Sequence, residues 1–202
     1  MSIRDEVLTV LRGRETTRIR FNFTSFYGTP VAVDQITFQR VVSAIESGRI
    51  QVPETGVAAN AGGEYDNTPV NGGIFYGRPV RNRRTNKSII IHEAVHASFD
   101  LTGSILEEVD NEAASFLAQF IYLRLTAYPI SRLLARNPEH ARLYESVWNA
   151  SASVFNGGTV PANRMQQIRQ RMVEDGHYPT LLTEGCVDGQ SPCEYSFWGA
   201  NG

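Results

Sequence analysis

Residues 89–99 read Ile-Ile-Ile-His-Glu-Ala-Val-His-Ala-Ser-Phe, and no other stretch constrains the chain so tightly. At 3.6 residues per turn, a helix places His92 and His96 on one face, about 40° apart. Glu93 is turned about 100° from His92, so its carboxylate is aimed beside that face rather than along it. Two imidazoles in this arrangement make half of a zinc site. The glutamate between them can reach a water held at the metal's open position, a division of labour that suits hydrolysis. Ile90, Ile91, Ala94, Val95 and Ala97 are uncharged, which fits a helix buried behind a metal, where an unpaired ion is costly.

His92-Glu93-Ala94-Val95-His96 resembles the helical H-E-x-x-H motif of the zincin metallopeptidases. Positions 102 and 106 are Thr102 and Leu106, so the third histidine of a metzincin is missing. Instead Asn111-Glu112-Ala113-Ala114-Ser115 looks like the Asn-Glu-Ala-x-Ser segment with which thermolysin-like gluzincins supply a glutamate ligand from the next helix. The connection from His96 to Glu112 is short, closer to that of small gluzincins. The resemblance runs from Ile89 to Ser115 and implies a zinc ion held by His92, His96 and Glu112. Glu108 or Asp110 are the next carboxylates in line for the third place, with Asp100 also in range. The family pattern has an acidic residue just after Ser115 to hold the first histidine's outer nitrogen. Phe116 stands there, so that partner must be Glu108, Gln119 or a backbone carbonyl.

The surrounding chain reads as a single zincin-like domain over 1–202, of α+β class, mostly helical, with a small antiparallel sheet upstream of the active-site helix. Residues 1–87 form a sheet-containing N-terminal part, 88–176 a helical part with the metal site, and 177–202 an irregular tail. With 202 residues, 42% hydrophobic and 20% charged, the chain can bury a sizeable core. A net charge of −2 argues against nucleic acid as the main partner, and the basic cluster Arg78, Arg81, Arg83, Arg84 and Lys87 reads as a solvated loop. No run is long enough to span a membrane, and the first residues lack an apolar signal core. The expected location is cytoplasmic, or secreted without a cleaved signal peptide. Cys186 and Cys193 fit either a disulfide or a reduced pair.

In order, the pattern predicts a helix over 5–12 and a half-buried strand around Ile19, Phe21 and Phe23. A turn follows at Gly28-Thr29-Pro30, then an amphipathic helix through Phe38, Val41, Val42 and Ile45 that ends at Gly48. A short strand is expected at 50–52. Residues 53–73, rich in Gly and Asn, read as a long loop or paired hairpin turns that could line a cleft. Ile74-Phe75-Tyr76 reads as a short strand; the zincin resemblance implies an edge strand upstream of the motif helix that binds an extended substrate, and this segment is placed for that role or for a purely structural one. Asn86 or Ser88 is expected to cap the histidine helix, which ends at Gly103. Ser104 and Glu107 spell a capping box for the next helix, which runs to Tyr128-Pro129. Further helices are expected from Asn137-Pro138 to about Phe155 and from Pro161 to Asp175. Phe197 and Trp198 suggest a tail that docks.

The resemblance implies a zinc-dependent metallopeptidase acting on a peptide or protein substrate, with Glu93 taking a proton from zinc-bound water and passing it to the leaving amine. A donor for the tetrahedral oxyanion is also required, and Tyr144, His140, His177 and Tyr178 are the candidates. Two other readings stay open: a zinc-dependent amidase acting on a non-protein amide, and a catalytically silent metal-binding or interaction protein. Intact Glu93 argues against the last, because a structural site has no use for a base.

Overall fold

In the computed structural model the described residues are 2–53, 64–66, 73–75 and 84–175. In chain order the elements are α1 (Ile3–Leu11), β1 (Phe21–Thr24), β2 (Pro30–Val33), α2 (Gln35–Glu46), β3 (Glu64–Asp66), β4 (Gly73–Phe75), α3 (Arg84–Thr102), α4 (Glu108–Leu125), α5 (Ile130–Arg136), α6 (Ala141–Ser153) and α7 (Ala162–Glu174). Two single 3-10 turns, Thr16–Arg18 and Pro138–His140, complete the list. The architecture is mostly helical with small antiparallel sheets, hence α+β.

Helices α3 and α4 pack on each other at the centre. Every residue from Ser88 to Phe99 in α3, and from Val109 to Leu123 in α4, is buried. A helix that is buried all round has no polar face to give to water and must be wrapped by its neighbours. Here α1 and α2 cover α3, while α6 and α7 cover α4. These outer helices are amphipathic: α2, for example, buries Phe38, Val41, Val42 and Ile45 and leaves Ile36 and Gln39 exposed.

The helix ends obey local chemistry. Ser2 and Asp5 form a capping box on α1, and Asp34 and Thr37 form one on α2. Gly48 (φ 78°) and Gly103 (φ 60°) supply the left-handed turns that stop α2 and α3. The expected box at Ser104 and Glu107 does not form. Helix α4 begins only at Glu108, Glu107 is its cap residue without a side-chain cap bond, and the Ser104 hydroxyl pairs with Thr102 instead. Likewise Asn86 and Ser88 are not caps, because α3 already begins at Arg84; the Ser88 hydroxyl donates to the Thr85 carbonyl at 2.7 Å.

Strands β1 and β2 form an antiparallel hairpin in register Phe21↔Val33 and Phe23↔Val31. All four of these side chains are buried, while their neighbours Asn22, Thr24, Pro30 and Ala32 face out, the period of two that reveals β1 in the sequence. Pro30 had signalled a turn, yet it opens β2. Residues 50–52 form no regular strand; Ile50 is simply buried against the core. The outer edge of β1 is covered by chain from the end of α6: Asn22 N–H donates to Gly158 O (3.0 Å) and Val160 N–H to Asn22 O (2.8 Å). That approach requires glycine at 157, where φ is 91° and a Cβ would lie 2.6 Å from Arg20 Nε.

Strands β3 and β4 pair antiparallel, Tyr65 opposite Ile74, and lie against α3. They resolve part of the glycine-rich stretch into a hairpin. Helix α5 was not foreseen, and the helix expected from Asn137-Pro138 is a 3-10 turn followed by α6. Among the described residues no helix is long and apolar enough to cross a membrane. His177, Tyr178, Cys186, Cys193, Phe197 and Trp198, the arginines from 78 to 83, and Tyr76 lie outside the described residues.

Candidate metal centre

On α3, Ser88, His92 and His96 recur every four residues and so form one stripe. On α4, Glu112 and Gln119 are seven apart, two turns along one face, with Asn111 beside Glu112. Packing these helices against each other brings the stripes together. The imidazole Nε2 atoms of His92 and His96 face each other at 3.1 Å, and Glu112 reaches them with Oε2 at 3.3 Å and Oε1 at 3.4 Å respectively. The three residues are 3%, 2% and 1% exposed, so water does not solvate them.

The outer nitrogens explain why this arrangement calls for a cation. His92 Nδ1 is 3.1 Å from Gln119 Oε1, and His96 Nδ1 is 2.9 Å from Asn111 Oδ1. Each Nδ1 that donates to its amide oxygen leaves Nε2 with a lone pair. The two Nε2 atoms and the Glu112 carboxylate then converge in one buried space, and Glu112 Oε2 has no hydrogen-bond partner among the described residues. A buried carboxylate short of donors is expensive. Burial pushes the Glu112 carboxyl up, but the positive charge that His96 and His92 can carry outweighs it and holds the group well below the usual carboxylate range. His92, His96 and Glu112 offer one ligand atom each within 4.8 Å of one another, a buried group able to hold a metal ion.

Glu93 stands beside this group and outside it. It is 4% exposed, and one carboxylate oxygen, Oε2, accepts the Tyr65 backbone N–H of β3 at 3.1 Å. Burial raises its pKa most, Glu112 adds to the rise, and His92, His96 and the Tyr65 N–H pull against it, leaving the carboxyl above its ordinary value. The strand that touches Glu93 is therefore β3.

Of the other carboxylates, Asp110 is committed elsewhere and is corrected as a ligand. Its Oδ2 accepts the Phe26 N–H at 2.7 Å, and its Oδ1 takes Arg169 Nε at 2.7 Å and Nη2 at 2.6 Å. Asp100 and Glu108 are only partly buried and do not join the group. Gln119, rather than Glu108 or a carbonyl, holds the outer nitrogen of His92. Among the oxyanion candidates, Tyr144 on α6 is 1% exposed and packs on Phe116 and Phe120 with ring centroids 6.1 and 5.5 Å away. Phe116 in turn lies edge-on to His92 at 4.9 Å, and the Tyr144 hydroxyl has no hydrogen-bond partner among the described residues. Burial pushes that phenol up. His140 sits beside Tyr144, 5.9 Å between centroids, at the start of α6.

Sequence reasoning missed Asn111, Ser88 and Tyr65. The first two carried a signal: an amide next to a ligand, and a hydroxyl four residues before a ligand on its own stripe. Tyr65 carried none, because strand docking onto a helix leaves no periodic trace. No family model matches the chain, and no curated protein or solved structure matches it either.

Proposed function

We propose that the protein is a zinc-dependent metallopeptidase of gluzincin type, with His92, His96 and Glu112 holding the ion and Glu93 serving as general base. The observation that carries this reading is the convergence of three buried side chains able to ligate a metal, two imidazoles and one carboxylate, next to a second buried carboxylate, Glu93, that takes no part in the cluster. Imidazole and carboxylate donors in a three-residue set suit zinc with an open coordination position. A bound zinc ion supplies Lewis acidity toward a water molecule and a scissile carbonyl.

The chain's own residues do the rest. Asn111 and Gln119 turn the imidazoles so that Nε2 faces inward. Glu93, its carboxyl raised by burial, takes a proton from the attacking water and returns it to the leaving amine; a carboxylate of ordinary acidity would hold that proton too weakly. The low exposure of all four residues excludes bulk water, so the charges act at full strength. Tyr144 is the candidate for an oxyanion donor, having a buried hydroxyl with no hydrogen-bond partner among the described residues.

The test is metal content together with peptide cleavage. Wild-type protein is expected to hold about one zinc per chain and to cleave members of a mixed peptide pool, read by mass spectrometry. His96→Ala should lose the metal, and Glu93→Gln should keep it while losing cleavage by at least about a hundredfold. A chain that takes up no zinc after reconstitution overturns the metal reading. One that binds zinc but cleaves peptides equally well with Glu93→Gln overturns the assignment of the base.

A further inference from the structure

Gln119 is held at both ends, and the direction of each bond can be worked out from one fixed point. The Ser88 hydroxyl donates to the Thr85 carbonyl at 2.7 Å within the first turns of α3. Having spent its proton there, Ser88 Oγ has only lone pairs to offer, and Gln119 Nε2 approaches it at 3.4 Å as donor. That fixes which end of the carboxamide is which. The oxygen must face His92, whose Nδ1 lies 3.1 Å away and therefore carries the proton. Turning the amide over would set oxygen against oxygen at Ser88 and nitrogen hydrogen against the imidazole. Both Ser88 and Gln119 are buried, 1% and 4% exposed, so water cannot absorb such a mismatch.

Building on the metal-site reading above, we infer that Ser88 and Gln119 are positioning residues that lock His92 in the Nδ1–H tautomer and present its Nε2 as a ready-made ligand. The relay leaves α3 at Ser88, crosses to α4 at Gln119 and returns to α3 at His92, one helical turn from where it began. Its members are neutral. A dication at the centre is then balanced by Glu112 and Glu93 alone, two negative charges for two positive. A carboxylate in place of Gln119 would add a third negative charge and draw down the Lewis acidity of the ion. The stripe Ser88, His92, His96 on α3 is thus one functional unit: an orienting hydroxyl followed by two ligands.

The experiment uses the full chain. In metal-free wild type, nitrogen-15 NMR of labelled histidine is expected to show His92 with a protonated Nδ1 and a bare Nε2; a predominant Nε2–H form would overturn the inference. Gln119→Leu, which keeps the volume and removes the acceptor, should lose that signature and weaken zinc binding about 10- to 100-fold in competition with a chromophoric chelator. Gln119→Glu restores an acceptor and should bind zinc at least as tightly as wild type. If it binds as weakly as Gln119→Leu, packing rather than the hydrogen bond is what matters and the relay is wrong. Ser88→Ala serves if Gln119→Leu fails to fold: it frees the amide to turn over, and a mixture of His92 tautomers is expected, whereas an unchanged spectrum removes Ser88 from the relay. Should wild-type protein bind no zinc at all, the metal reading fails, while the tautomer spectra still decide the relay.

Discussion

Asp110 and Glu112 sit two residues apart within the first two turns of α4, both 1% exposed or less, and the fold treats them in opposite ways. Asp110 is met by three donors: the Phe26 N–H and two guanidinium nitrogens of Arg169. Glu112 is met by the Nε2 atoms of two imidazoles, at 3.3 and 3.4 Å, and by no guanidinium or backbone N–H among the described residues. A buried charge has to be paired or the fold loses several kcal/mol. The chain therefore completes one carboxylate from within and sets the other in a group that could hold a metal ion. Asp110 reads as structure, tying α4 to α7 and, through Arg169 Nη2 on Thr24 O, to the β1–β2 hairpin. Glu112 reads as function.

The largest test of that contrast is to cut the internal pair. Arg169→Leu leaves Asp110 buried without a cation, with only the Phe26 N–H beside it, and should cost about 3–5 kcal/mol in a denaturant titration; adding Asp110→Asn should recover much of the loss. A cost below about 1 kcal/mol would mean that Asp110 is solvated in solution and the contrast is false. Next, Glu112 should respond to metal where Asp110 does not. Zinc at about a hundred times its dissociation constant should stabilise the wild type by about 2.7 kcal/mol and leave Glu112→Gln unmoved, as followed by thermal unfolding. If Glu112→Gln is stabilised equally, the ion binds elsewhere.

The smallest effect concerns Glu93, a third buried carboxylate with a single backbone donor. Burial raises its pKa in the fold, so ionising it opposes folding: stability from the protonated form is present below the unfolded value near 4.5 and declines as pH rises through the folded one. Glu93→Gln should therefore stabilise the metal-free protein by about 1 kcal/mol at neutral pH and by less at pH 4. A variant that is less stable than wild type at neutral pH would show that the carboxylate is fully paired, as Asp110 is.

What the sequence revealed follows the same line. His92, Glu93 and His96 were legible from helical spacing, and Glu112 from the resemblance of Asn111-Glu112-Ala113-Ala114-Ser115 to the gluzincin segment; Gln119 was within reach because it lies two turns along the face of Glu112. The outer helix α2 was legible from its period and α7 from the proline that opens it. Arg169 was not, because 59 residues separate it from Asp110 and nothing local distinguishes it from Arg164 or Arg171 on the same helix. Asp110 looked like a ligand for the same reason: an acidic residue near the metal has the same local spelling whether it binds an ion or an arginine. Helix α5 and strand β2 were missed because short elements are decided by packing more than by propensity. The false capping box at Ser104 shows a correct local rule outcompeted: Thr102 took the hydroxyl and Glu107 became the cap residue.

The 59-residue span of the Asp110–Arg169 pair also has a meaning in time. At about 5–20 residues per second, a growing chain exposes Asp110 roughly 3–12 s before Arg169 has been made. A helical pair joined by a short connection, by contrast, can close in microseconds to milliseconds. The α3–α4 pair is thus complete while Asp110 still needs water, so the first turn of α4 must stay open to solvent until α7 arrives. Synthesis itself orders the events: His92, His96 and Glu112 assemble first, and the guanidinium seals the turn behind them.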